Sequence, residues 1–237
     1  FTSAVWRRDL PLLRQMGCNA IRTWDEVDNE AFLDACWNGG KDPVYVIMGY
    51  WISNDLDFSK LTVRQHVRSR FQKFVERYYR HPAVLFWALG NENNYWYKRS
   101  DISDWYTLAN ELAMTAYQVE GEDYHPVAVV NGLTKHSTGR LVGRIGSTEE
   151  KTDDRSMNYV DIWGVTYYEG YSFGSFFPDM EKATKKPIWI AEYGIDAWDN
   201  QKEMVDAEAQ ANWNLNQWRE LSRARNCVGG TVMAYCD

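Results

Sequence analysis

The chain has 237 residues, of which 45% are hydrophobic and 25% charged, and it carries a formal net charge of −7. That length suits one large α/β unit, and no apolar run approaches the roughly 18–20 residues that span a bilayer. Lys and Arg are scattered rather than gathered into the basic stripe that a nucleic-acid backbone requires, so neither a membrane span nor a nucleic-acid partner is expected.

In chain order the pattern alternates between helix and strand. "RRDLPLLRQMG" (7–17) spaces its apolar residues as a helix does and stops on Gly17; "CNAIRTW" (18–24) follows as a short strand. "NEAFLDACWNGG" (29–40) is a helix capped by Asn29, and "PVYVIMGYW" (43–51) is an apolar run of strand length. A polar loop leads to the amphipathic helix "TVRQHVRSRFQKFVERYYR" (62–80) and then to the strand "AVLFWALGNE" (83–92). The helix "DISDWYTLANELAMTAYQVE" (101–120) opens on a capping Asp101, and "PVAVVNG" (126–132) is the next strand. After a long polar loop (132–158) come the strand "YVDIWGVTYYEG" and the short helix "SFFPDMEKAT". The strand "KPIWIAEYGID", the helix "DAEAQANWNLNQWRELSRARN" and the strand "VGGTVMAYCD" complete the chain.

Strands that are hydrophobic throughout and alternate with helices predict a parallel sheet covered by helices. Seven strands are one short of the eight that close a (β/α)₈ barrel. The expectation is therefore an α/β TIM barrel in one domain, 1–237. It lacks strand one and the segment after strand eight, as a fragment of a longer protein would.

Barrels of this kind carry function at the C-terminal ends of their strands. Those ends hold Arg22 and Trp24, Tyr50 and Trp51, Asn91 and Glu92, Asn131, Tyr167 and Tyr168, Glu192 and Tyr193, and Tyr235 and Asp237. Two glutamates, an arginine, amides and aromatics thus converge on one rim. His66, His81, His125 and His136 are dispersed, and Cys18, Cys36, Cys227 and Cys236 form no CxxC, so no metal and no cofactor is expected. The cysteine pairing stays open.

Two facing carboxylates in opposite protonation states are what acetal cleavage needs. One protonates the leaving oxygen, and the other attacks or stabilises the developing oxocarbenium carbon. Glu92, between two asparagines at the end of an apolar strand, is the candidate acid. Glu192, beside Tyr193 and within plausible reach of Arg22, is the candidate nucleophile. With twelve Trp and fifteen Tyr, Trp24, Trp51, Trp96 and Trp198 become candidate platforms for sugar faces, with core packing the plainer alternative for each.

"GNE" after one apolar strand, "EYG" after another, "NAIRTW" before them and "GVTYYEG" between them resemble the retaining glycosidases of clan A. These are (β/α)₈ enzymes that include cellulase-like glucanases, β-galactosidase and β-glucuronidase relatives, and β-1,3-glucanosyltransferases. The resemblance implies that Asn91 holds the sugar hydroxyl next to the anomeric carbon and that Glu92 is the acid/base. It also implies that Glu192 is the nucleophile, supported by Arg22 and by Tyr168, which is preferred over its neighbour Tyr167.

The expected activity is thus retaining hydrolysis or transglycosylation of a β-linked oligo- or polysaccharide. A β-glucan is favoured because of the aromatics, in an extracellular or secretory-pathway setting. The rival is a silent barrel serving as a structural or carbohydrate-binding module beside other domains or chains. Asp25, Glu26, Glu149 and Glu150 are expected to be solvated loop charges.

Overall fold

A computed structural model describes residues 2–96 (of Trp96 the backbone alone), 99–133 and 144–234. Its strands are β1 (Ala20–Arg22), β2 (Tyr45–Tyr50), β3 (Val84–Leu89), β4 (Val127–Gly132), β5 (Ile162–Tyr167), β6 (Ile188–Tyr193), β7 (Trp198–Asp199), β8 (Met204–Val205) and β9 (Cys227–Val232). Seven of them form one parallel sheet in the order β1-β2-β3-β4-β5-β6-β9. Neighbours in chain order are neighbours in space, and helices make the crossovers except between β4 and β5, where the described residues of the connection form turns. The sheet curls into a nearly closed TIM barrel, with β1 and β9 as its two edges. β7 and β8 form a small antiparallel ribbon after β6.

The helices are α1 (Ser3–Gln15), α2 (Glu30–Trp37), α3 (Leu61–Tyr78), α4 (Asn93–Trp96), α5 (Ile102–Glu120), α6 (Phe176–Ala183) and α7 (Ala207–Leu221). Their starts follow capping chemistry. Asn29 accepts the Phe32 N–H at 3.1 Å, Asp101 and Asp104 form a reciprocal capping box, and Asp206 accepts the Ala209 N–H at 2.9 Å. α1 begins four residues before the expected 7–17 and continues through Pro11, whose ring removes one backbone bond without ending the helix.

Strand alternation divides the apolar residues into two cores. Ile47, Phe86, Ala88, Ala128, Val130, Ile162, Trp189 and Ala191 fill the barrel interior. Trp87, Trp105 and Trp163, all fully buried, join the larger layer between sheet and helices. With Trp6 and Trp189 also buried, these tryptophans are structural, whereas Trp24, Trp51, Trp198 and Trp218 are exposed. Because the seven strands are parallel, every C-terminal end reaches the same rim. No described helix is long and apolar enough to cross a membrane.

Candidate active site

Glu92 lies on a tight turn just past β3. Gly90 has φ +66°, and a Cβ there would meet the Asn93 side chain at 2.2 Å and the Trp105 ring at 2.8 Å, so only glycine fits. Glu92 itself has φ +54°, a left-handed conformation that is uncommon for a side chain of its size. The turn is held from both sides. The Glu92 N–H donates to the Val130 carbonyl at 3.1 Å, and the Asn91 N–H donates to Asn93 Oδ1 at 2.9 Å.

The two asparagines after Glu92 are staples. Asn93 Nδ2 donates to the Ile52 carbonyl at 2.9 Å and to Asn54 Oδ1 at 2.5 Å. Asn94 exchanges two bonds with the Gly132 backbone, donating to its carbonyl at 2.7 Å and accepting its N–H at 2.8 Å. Both amides are buried, where each polar group needs a partner. The polar end of this greasy strand thus clamps the turn that carries Glu92 to the loop after β2 and to β4.

Glu192 reaches the rim by a different device. Val165 pairs with Ile190 but Thr166 pairs with Glu192, so Ala191 is an extra residue on β6; facing β9, Ile190 and Tyr193 likewise pair with Gly230 and Val232. Ala191 belongs to the interior core, so strict alternation would turn Glu192 outward. The bulge turns it back in and sends Tyr193 into the outer layer. The Ala191 carbonyl, displaced from the ladder, accepts from Arg22 Nη1 at 3.2 Å and Thr231 Oγ1 at 2.5 Å.

Both Glu192 oxygens are occupied although the residue is only 6% exposed. Arg22 Nη1 donates to Oε1 at 2.6 Å and the Trp24 indole Nε1 donates to the same atom at 3.0 Å. Tyr168 Oη donates to Oε2 at 2.8 Å. Arg22 also gives its Nη2 to Asn91 Oδ1 at 2.6 Å, so one guanidinium links the turn of Glu92 to the bulge of Glu192. Its Cζ stands 5.5 Å from the centroid of the Trp189 ring, a member of the interior core.

Burial pulls the Arg22 guanidinium below its ordinary range, and the charges of Glu192 and, more weakly, Glu92 oppose that pull. Burial and then the Glu192 charge push the Tyr168 hydroxyl far upward, so it stays a neutral donor. Both groups feel both carboxylates, so the two glutamates act on one small space.

Glu92 has a single described side-chain partner, Thr166 Oγ1, which bonds its Oε1. Thr166 was absent from the residues expected at the site. It lies two positions before Tyr168, on the same face of β5, and that spacing is the signal that identifies it.

Several strand-end residues do not join the rim. Tyr50 donates to the Val67 carbonyl at 3.0 Å, and Asn131 accepts from Tyr106 Oη at 2.9 Å. Tyr167 donates to the Ser172 carbonyl at 2.9 Å, and Tyr193 is buried. All four face the outer layer, because neighbours along a strand point to opposite sides. Tyr168 is the member of its pair that turns to Glu192.

Trp51 is 40% exposed and Trp198, on the β7–β8 ribbon, 51%; no hydrogen bond ties either to the carboxylates among the described residues. Trp24 differs, because its N–H is engaged while the residue stays 43% exposed. The Trp96 side chain, Tyr235 and Asp237, and much of the polar 132–158 loop lie outside the described residues.

Two of the expected solvated charges are paired instead, Glu26 with Arg70 at 2.7 Å and Glu150 with Arg144. Cys18, Cys36 and Cys227 are free thiols. No cluster of metal-ligating side chains occurs among the described residues.

The family model for the TIM barrel domain of glycosyl hydrolases family 2 matches residues 1–235. Mouse (Mus musculus) β-glucuronidase is 26% identical over 202 residues, covering 80% of this chain and 28% of that protein. The Pongo abelii β-glucuronidase is 23% identical over 248 residues, covering 97% of this chain and 34% of the relative. The chain thus spans about a third of the length of these curated relatives.

Among solved structures, a GH2 β-galacturonidase from Eisenbergiella tayi bound to galacturonate superposes with a TM-score of 0.70 at 17% identity, covering 100% of this chain and 40% of the other. Bacteroides uniformis β-glucuronidase 2 does so with a TM-score of 0.65 at 18% identity, covering 99% and 28%. At those identities the superpositions speak to the fold. With the family model spanning nearly the whole sequence, the chain belongs to glycosyl hydrolases family 2, as its TIM barrel domain.

Proposed function

We propose that this barrel is the catalytic domain of a retaining β-glycoside hydrolase in which Glu192 is the nucleophile and Glu92 the acid/base. The observation that carries the assignment is the contrast in partners. Arginine and tryptophan N–H groups are donors only, so Oε1 of Glu192 faces them as an acceptor, and Tyr168 Oη donates to Oε2. Glu92 bonds a hydroxyl, which serves a carboxyl with or without its proton.

In the first step a Glu192 oxygen bonds to the anomeric carbon as the glycosidic C–O bond breaks, and the Glu92 proton passes to the leaving oxygen. In the second step Glu92 takes a proton from a water or an acceptor sugar. That oxygen attacks the anomeric carbon and the ester to Glu192 breaks, restoring both groups. Asn91, oriented by Arg22, is placed to hold the neighbouring sugar hydroxyl. This chemistry needs no cofactor.

For the sugar, the relatives' names favour a terminal β-linked uronide. The β-glucan expectation rested on aromatic content, and many of those rings are core. Its remaining support is the exposure of Trp24, Trp51 and Trp198 on the rim side.

The test uses the full-length protein against nitrophenyl β-glucuronide, β-galacturonide and β-glucoside, and against soluble β-glucans, with the anomer of the first product read by proton NMR. Release of the β-anomer from a uronide supports the reading. Activity confined to the glucans moves the substrate but keeps the mechanism, and release of the α-anomer overturns the double displacement.

A further inference from the structure

We infer that Thr166 is a positioning residue for the acid/base, a hydroxyl that reverses its hydrogen bond each time Glu92 gains or loses its proton; this rests on the assignment of Glu92 proposed above. Thr166 is buried at the top of β5, paired with Gly132 of β4 on one side and with Glu192 of β6 on the other, and only β4 separates it from β3, after which Glu92 lies. Its Oγ1 bonds Glu92 Oε1 and has one further acceptor, the Asn131 carbonyl, in long contact at 3.4 Å. A threonine hydroxyl has one proton to donate and lone pairs to accept with.

That inventory matches the two states the acid/base must adopt. When Glu92 carries the proton, it donates to Thr166, and the Thr166 proton turns to the Asn131 carbonyl. Once that proton has gone to the leaving oxygen, the Thr166 O–H swings to the bare carboxylate, and the Asn131 carbonyl gives up a bond that was already long. No proton leaves Thr166 in either step; only its rotor turns.

The carbonyl before Asn131, that of Val130, accepts the Glu92 backbone N–H. The end of β4 therefore holds Glu92 directly through its backbone and, through Thr166, by its carboxyl. A valine of the same shape would fill the space and leave Glu92 without this partner in both states.

The experiment compares Thr166→Val, Thr166→Ala, Thr166→Ser and Glu92→Gln in the full-length protein. The probes are phenyl and dinitrophenyl β-glucuronides, with the matching β-glucosides. Phenolate needs a proton to leave and dinitrophenolate does not, so only the first reports the acid.

General acid catalysis contributes about 10²–10⁴-fold, and a mispositioned acid forfeits part of that. Thr166→Val should lose about 10–100-fold in kcat/KM on the phenyl substrate, at least ~10 times its loss on the dinitrophenyl one. On the dinitrophenyl substrate kcat and KM should fall together, because the second step still needs the base. Thr166→Ala should behave alike, which covers a valine variant that fails to fold, and Thr166→Ser should recover most of the loss.

Equal losses on both leaving groups, or no recovery with serine, overturn the inference. Glu92→Gln separates the two claims. If it lacks the leaving-group signature, the acid/base assignment falls and this inference with it; if it has the signature and the Thr166 variants do not, only the inference falls.

Discussion

The two glutamates face one space but are held in opposite ways. Glu192 is fixed by its side chain, with donors from β1, the loop after it and the end of β5 converging on both oxygens. Glu92 is fixed by its backbone, through a left-handed turn clamped to β2, the loop after it and β4, and among the described residues its carboxyl meets one hydroxyl. An attacking group profits from a fixed direction and saturated donors. A group that must lose and regain a proton profits from a partner that can reverse. Residue identity alone makes the two interchangeable; the proposed roles rest on this difference in partners.

The sharpest way to break the comparison is to remove each carboxylate in turn. Glu192→Gln should abolish turnover of every substrate, a loss of at least about three orders of magnitude in kcat. Glu92→Gln should spare the dinitrophenyl substrate far more than the phenyl one. Equal effects on the two substrates from both variants would erase the distinction.

Arg22 serves both sides, so Arg22→Met should be the most damaging change to stability. Removing one partner of a buried ion pair costs about 3–5 kcal/mol, and urea unfolding measures it. Asn94→Ala acts on the Glu92 side alone. It leaves a buried N–H and carbonyl of Gly132 unmatched, for about 2 kcal/mol and a lower Tm by calorimetry.

The smallest effect expected is that of Trp24→Phe, which keeps a ring and deletes one N–H. Steady-state kinetics should give a drop of about tenfold in kcat/KM, close to the low end for a hydrogen bond to a charged group. The drop should be the same for both leaving groups, because Trp24 touches Glu192 and not Glu92.

Much of this was legible before any coordinates. The seven apolar runs are the seven barrel strands, the Asn29 and Asp101 caps start their helices, and Arg22, Asn91, Glu192 and Tyr168 lie in one bonded chain. What periodicity did not reveal has a physical cause in each case.

The bulge at Ala191 breaks the two-residue repeat, so alternation alone would have faced Glu192 outward. Asn93 and Asn94 sit beside Glu92 as if they were ligands, yet burial spends their amides on backbone and on the Asn54 side chain. The ring of Trp24 is visible in the sequence, while the direction of its N–H, which reaches Glu192, is not. Thr166 bears neither charge nor ring to mark it in the sequence, although it shares the face of β5 that turns Tyr168 to Glu192.

The most direct measurement is covalent trapping. The full-length protein is incubated with an activated fluorosugar whose glycosyl–enzyme ester hydrolyses slowly, then digested and read by mass spectrometry. The account predicts one added sugar on the peptide containing Glu192 and none on that containing Glu92. A sugar attached to Glu92, or to any residue other than Glu192, would contradict it.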